Sequence, residues 1–138
     1  MSVLVPIDDS EPAMDAVEHA ADAFAGDDVV LLHVISPNMS AYGEGASYAY
    51  DDIIDTRREA AQELFDEATE IATARGCTVE TETVVGQPAR EIVAFADDSG
   101  IDHIVTGSHG RAGASRVLLG SVAEAVVRRA PVPVTVVR

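Results

Sequence analysis

The stretch IDHIVTGSHGRAGASRVLLGS, residues 101–121, decides the fold. Its opening, residues 101–106, reads as a strand. A glycine-rich loop runs from Gly107 to Gly113, and Gly120-Ser121 opens a helix over 121–129. Residues 132–137 are apolar again and read as another strand. Gly107 directly follows the first strand, and Gly110 lets backbone approach a ligand without a side chain in the way. Free N–H groups and the dipole at the helix start form an anion site, and two close approaches beside it suit a polyphosphate. The P-loop lysine is absent, so that motif is excluded. Each glycine also has an ordinary structural use after a strand. Ser121 with Glu124 three residues on reads equally as a capping box, which needs no ligand.

Upstream the same alternation repeats. Residues 2–7 form a short valine-rich strand. Ser10 then offers an N-cap, with Pro12 in the first helical turn. Ala13, Val17, Ala20, Ala21 and Phe24 recur at helical spacing, and Gly26 ends that helix. Residues 29–35 are a second buried strand. Residues 36–50, with Pro37, Gly43, Gly45, three serines and Tyr42, Tyr48 and Tyr50, read as a long loop. A helix over 51–75 follows, with Ile54, Ala61, Leu64, Ala68 and Ile71 as its apolar stripe. Residues 77–85 alternate like an edge or half-exposed strand. Gly86 and Pro88 lead into a helix carrying Ala89, Ile92, Val93 and Ala96, which Gly100 ends. The order βαβαβαβαβ forces parallel strands and right-handed crossovers. The expectation is an α/β single domain over 1–138: an open, doubly wound five-stranded parallel sheet with helices on both faces. Ligands in that architecture bind at the carboxyl ends of the strands, where strand order reverses.

The 138 residues carry 24 acidic and nine basic side chains, a net charge of −15. All nine are arginine. Such a field repels nucleic acid. The acids are dispersed, which points to a halophilic cytoplasm where salt screens the self-repulsion. No apolar run approaches a membrane span, and no basic segment precedes the first apolar run, so a cytoplasmic location away from membranes is expected. Cys77 stands alone, with no partner for a disulfide or metal site.

The glycine stretch resembles the nucleotide-binding loop of the universal stress protein family, whose pattern is Gly-x2-Gly-x9-Gly-Ser/Thr. Gly107, Gly110, Gly120 and Ser121 match it without a gap. The similarity extends through Val122-Ala123-Glu124 and Ala130-Pro131-Val132-Pro133-Val134. It recurs in Val5-Pro6-Ile7-Asp8-Asp9-Ser10 and in His33-Val34. The resemblance implies a Rossmann-like strand order 3-2-1-4-5 and the ATP-binding branch of the family. It places Asp8 near the ribose, with Pro6 and Ile7 shaping that wall and Val34 holding the adenine through its backbone. Thr106 and Gly107 border the ribose, and Ser108, His109, Gly110 and Arg111 line the way to the phosphates. Gly120, Ser121 and Val122 receive the phosphates. Asp9 departs from the family, which often has glycine there. A second carboxylate weakens phosphate binding unless a divalent cation, Mg2+ or Mn2+, accompanies the ATP. The resemblance also implies a homodimer through strand 132–137, whose apolar residues would otherwise leave an adhesive edge.

The functional expectation is a stress-response or signalling protein that binds adenine nucleotide as a switch and acts through a protein partner. A slow ATP hydrolase is the alternative, as is a stress protein that acts through partners without nucleotide. Dedicated catalysis lacks a positioned base, since only His109 and Asp8 stand out and no residue visibly orients His109. A phospho-receiver domain fails, because the third strand ends Val84-Val85-Gly86 without aspartate and the chain has no lysine. A flavodoxin-like carrier lacks the aromatic residues that flank a flavin. His19, His33 and His103 have no metal-ligand spacing and read as surface or packed histidines.

Overall fold

Residues 1–8, 10–36, 46–108 and 119–138 are described in the computed structural model, with backbone alone for 46–50. The elements are β1 (Ser2–Pro6), α1 (Glu11–Ala23), β2 (Asp28–Ile35), α2 (Ala46–Thr73), β3 (Thr78–Val85), α3 (Pro88–Asp98), β4 (His103–Gly107), α4 (Ser121–Arg129) and β5 (Val134–Val137). All strands are parallel, in the order β3-β2-β1-β4-β5. The expected fold class and strand order are therefore those observed.

Two apolar layers sandwich the sheet. On one face Val3, Val5, Leu31 and Val105 pack against Ala16, Val17 and Ala20 of α1 and Ala61, Phe65, Ala68 and Ala72 of α2. On the other, Leu4, Leu32 and Ile104 pack against Ile92 and Ala96 of α3 and Val126 of α4. Leu4, Leu31, Leu32 and Ile104 are fully buried, and truncating such a residue to alanine costs about 2–5 kcal/mol. The central strands read as continuous apolar runs because both of their faces are covered.

Helix ends follow local chemistry. Ser10 caps α1, its Oγ accepting from Ala13 N–H at 3.3 Å, with Pro12 in the first turn. Losing such a cap costs about 1 kcal/mol. Gly26 and Gly76 sit at φ 84° and 82°, the left-handed region that lets a helix turn sharply into a strand.

The structure departs from the sequence reading in several places. α2 begins at Ala46 rather than near Asp51, so Tyr48 and Tyr50 lie on its first turns rather than in a loop. No glycine or proline interrupts the chain after Gly45, so serine and tyrosine did not mark a break there. The buried stripe of α2 runs through Ile54, Ala61, Phe65, Ala68 and Ala72, one position on from Leu64 and Ile71, which pack only partly. β5 begins at Val134, because Pro131 and Pro133 delay regular pairing. Residues 37–45, Tyr42 among them, lie outside the described residues.

Among the described residues, no helix is long and apolar enough to cross a membrane.

Candidate functional site at the strand-order reversal

β1 and β4 are neighbours although three helices separate them in sequence. From β1 the chain passes to α1 on one face, while β4 is fed by α3 on the other. The carboxyl ends of these strands therefore flank the point where strand order reverses, the usual ligand position in open parallel sheets. β1 delivers Pro6, Ile7 and Asp8 there, and β4 delivers Thr106, Gly107 and Ser108.

At the β1 exit, Asp8 is half-buried and held by its own turn. Its Oδ1 accepts from Ser10 N–H at 2.9 Å and from the Ser10 hydroxyl. Ser10 Oγ in turn caps α1, so the carboxylate is tied to the start of that helix. Oδ2 has no partner among the described residues and stays available to a hydroxyl or a cation. Behind this turn, His33 Nδ1 lies 2.9 Å from the Ile7 carbonyl. A carbonyl only accepts, so Nδ1 carries the hydrogen.

At the β4 exit, Thr106 and Ser108 are buried, at 6 % and 2 % exposure. A Cβ added to Gly107 would lie 2.8 Å from the Pro12 backbone, so close packing of α1 on β4 accounts for this glycine. Ser108 N–H bonds the Val137 carbonyl at 2.8 Å, and the Ser108 carbonyl accepts from Gly120 N–H at 2.6 Å. That second bond brings the start of α4 to the end of β4.

The capping-box reading of Ser121 and Glu124 is not what forms. Gly120 is the N-cap, its side of the helix start bears no side-chain cap, and Ser121 occupies the first helical position. Glu124 turns instead to Arg128, 2.8 Å away. The physical reason is the 2.6 Å bond to Ser108, which fixes Gly120 rather than Ser121 as the boundary residue. Gly120 has no side chain to cap the helix, so among the described residues no capping side chain competes for the first N–H groups of α4, which carry partial positive charge.

Pro6, Ile7, Asp8, Thr106, Gly107, Ser108, Gly120, Ser121 and Val122 thus gather at the β1 and β4 exits and the start of α4. Val34 lies at the same end of adjoining β2. Asp9, His109, Gly110 and Arg111 lie outside the described residues. Ser10 and His33 are contributors the sequence reading did not assign. An Asp-x-Ser spacing at a strand exit was the available signal for Ser10, whereas His33 depends on the β1–β2 register.

Two hollows adjoin the sheet. One of about 340 Å³, lined by Arg90, Val93, Ala94, Asp97, Arg129 and Pro131, is formed by α3 and the end of α4, away from the β1 exit. The other, about 460 Å³, lies between α1 and α2 and reaches the site at Ser10. Glu11, Asp15 and Glu67 line it, so its field disfavours phosphate and leaves the α4 side as the better anion seat. Among the described residues no cluster of three His, Cys, Asp or Glu side chains could hold a metal ion.

Comparison with known proteins places this geometry. The Usp model, described as the universal stress protein family, matches residues 1–138. The universal stress protein MJ0531 of Methanocaldococcus jannaschii is 34 % identical over 137 residues, 99 % of this chain and 81 % of that one. The solved structure of hypothetical protein MJ0577, described as a structure-based assignment of biochemical function, superposes with a TM-score of 0.86 at 33 % identity, covering 99 % of this chain and 94 % of that one. A universal stress protein from Archaeoglobus fulgidus in complex with dAMP gives a TM-score of 0.70 at 27 % identity, covering 100 % and 98 %. Fold and sequence agree: the chain belongs to the universal stress protein family.

Proposed function

We propose that the protein binds ATP at the strand-order reversal and acts as a nucleotide-dependent switch in stress response or signalling. The observation that carries this is the start of α4, which begins on a glycine, has no side-chain cap among the described residues and is drawn to the end of β4 by the Gly120–Ser108 bond. Phosphate oxygens are the acceptors such N–H groups fit. Asp8, with Oδ1 fixed by Ser10, offers Oδ2 to the ribose, and Val34 offers backbone groups to the adenine. Gly120, Ser121 and Val122 receive the phosphates, with His109, Gly110 and Arg111 completing their path. The relative in complex with dAMP supports an adenine nucleotide as the ligand class. Asp8 and Glu11 stand at the β1 exit and Asp9 follows Asp8 in sequence, so Mg2+ or Mn2+ accompanies the phosphates in this reading. A protein partner reads the switch; dedicated catalysis is not part of it.

Two further features belong to this proposal. The chain pairs with its own copy through β5, and its net charge of −15 makes both folding and association salt-dependent, as in a halophilic cytoplasm.

Calorimetric titration with ATP, ADP and AMP in molar salt tests the reading. Saturable ATP binding is expected, abolished by Gly110→Leu with the melting midpoint retained. A wild-type protein that takes up no ATP at millimolar nucleotide overturns it.

A further inference from the structure

β2 is paired for longer on one side than on the other. Its ladder with β1 ends at Pro6–Leu32, while its ladder with β3 continues to Ile35–Val85. Asp28 N–H bonds the Met1 carbonyl and the Leu32 carbonyl accepts from Ile7 N–H at 2.8 Å, so even-numbered β2 residues turn their backbone groups toward β1. The Ile35 carbonyl accepts from Gly86 N–H at 2.9 Å, so odd-numbered ones face β3. One more rung of a regular parallel ladder would give the Ile7 carbonyl to Val34 N–H. The His33 ring takes that carbonyl instead, Nδ1 to oxygen 2.9 Å. Among the described residues, no backbone bond joins Val34 N–H to Ile7.

We infer that His33 is a positioning residue: by occupying the Ile7 carbonyl it keeps the Val34 N–H out of the β1–β2 ladder and open to a ligand. The inference rests on the nucleotide reading for the ligand's identity, but not for the mechanism. His33 is itself part of β2, and its ring reaches sideways to the neighbouring strand. The Ile7 carbonyl thus stays satisfied while Val34 N–H does not, which removes the usual penalty of breaking a rung at both ends. The same contact fixes the residue that precedes Asp8, so one ring orients both the backbone edge on β2 and the carboxylate on β1. The Val34 side chain packs on the α3–α4 layer, which holds its amide in place while the polar edge stays open.

Two substitutions separate this role from simple packing. In His33→Asn, the side-chain amide N–H replaces Nδ1–H at nearly the same reach. In His33→Val, the strand is kept but the donor is lost, and the ladder closes by a rung. Amide exchange of Val34, followed by NMR without nucleotide, is expected to be fast in wild type and His33→Asn and slow in His33→Val. ATP affinity is expected to fall about tenfold in His33→Val and to stay within about threefold in His33→Asn, with no loss of melting midpoint in either. Val34 exchange as slow as that of Val30 in the nucleotide-free wild type overturns the inference, as does unaltered ATP affinity in His33→Val. A wild type that binds no ATP defeats only the nucleotide reading, because the exchange measurement still decides what His33 does to the ladder.

Discussion

β3 and β5 are the two edges of one sheet, and they are guarded differently. β3 pairs with β2 along all eight of its residues, and Glu80, Thr81 and Glu82 stand exposed in its middle. β5 is four residues long, Val-Thr-Val-Val, with every side chain partly covered and none charged. Prolines precede it, but Pro133 does not blunt the outer edge. Its carbonyl accepts from Ile104 N–H at 3.0 Å, so its missing N–H lies on the β4 side. The outward backbone groups of β5 are those of Val134 and Val136, both complete. Backbone is therefore equally available at the two edges, and side-chain charge is what distinguishes them. Glutamates facing a second strand repel their own copy, while valines gain by being covered. The comparison teaches that β5 differs from β3 by lacking a charged guard, not by carrying a special motif, which makes it the edge for the proposed pairing.

The largest effect is expected from putting a guard on β5. In molar salt the wild type should scatter light as a dimer, and Val134→Lys with Val136→Lys should halve the mass. Val136→Pro, which deletes one outward donor and leaves side-chain charge untouched, should weaken the dimer without unfolding the chain. A wild-type monomer, or a lysine variant that dimerises as well as its parent, places the interface elsewhere. The reverse experiment removes the guard from β3. Glu80→Val with Glu82→Val should drive the dimer into larger, concentration-dependent species, since each dimer then carries two adhesive edges. A smaller effect follows from salt alone. Raising it from 0.01 to 1 M shortens the Debye length from ~30 to ~3 Å, so the melting midpoint and the dimer fraction should both rise. Equal midpoints at the two salts would remove the charge argument.

Most of this architecture was legible in the chain because its signals are local. Apolar runs at 2–7, 29–35 and 101–106, Ser10 before Pro12, and Gly26 and Gly76 after helical periodicity each report a nearby cause. The glycine spacing around Gly107 and Gly120 also points to the β4 exit and the start of α4, which the fold brings together. What stayed hidden depends on register and on competition between partners. Ser121 and Glu124 had the right spacing for a capping box, but the Ser108 carbonyl claimed Gly120 and Arg128 claimed Glu124. His33 reads as an ordinary surface or packed histidine because nothing in the sequence says which backbone carbonyl lies opposite its ring. Gly107 reads as either a ligand contact or an ordinary glycine after a strand, and only the packing shows that its missing Cβ makes room for Pro12.

The smallest expected effect concerns how β5 is moored. His103 of β4 sits half-buried against Phe24, ring centroids 5.1 Å apart, and its Nε2 lies 2.7 Å from Thr135 Oγ1. β5 thus has a side-chain tether to its neighbour in addition to four rungs of ladder. Burial holds the His103 imidazole below its ordinary 6.5, because desolvation disfavours the charged ring. The unfolded chain then binds the proton more readily than the folded one, so this residue's contribution is complete above the unfolded value. It is lost as pH falls below about 6.5 toward the folded value. His103→Gln keeps a donor and acceptor for Thr135 but cannot titrate. Urea midpoints followed from about pH 7.5 to 5 should fall less steeply in His103→Gln than in wild type, after the shared carboxylate response is subtracted. If the proposed pairing runs through β5, acid should also loosen the wild-type dimer more than the variant's, since β5 is the moored strand. Parallel slopes for the two proteins would show that His103 stays neutral without cost across this range and that β5 is held by its ladder alone.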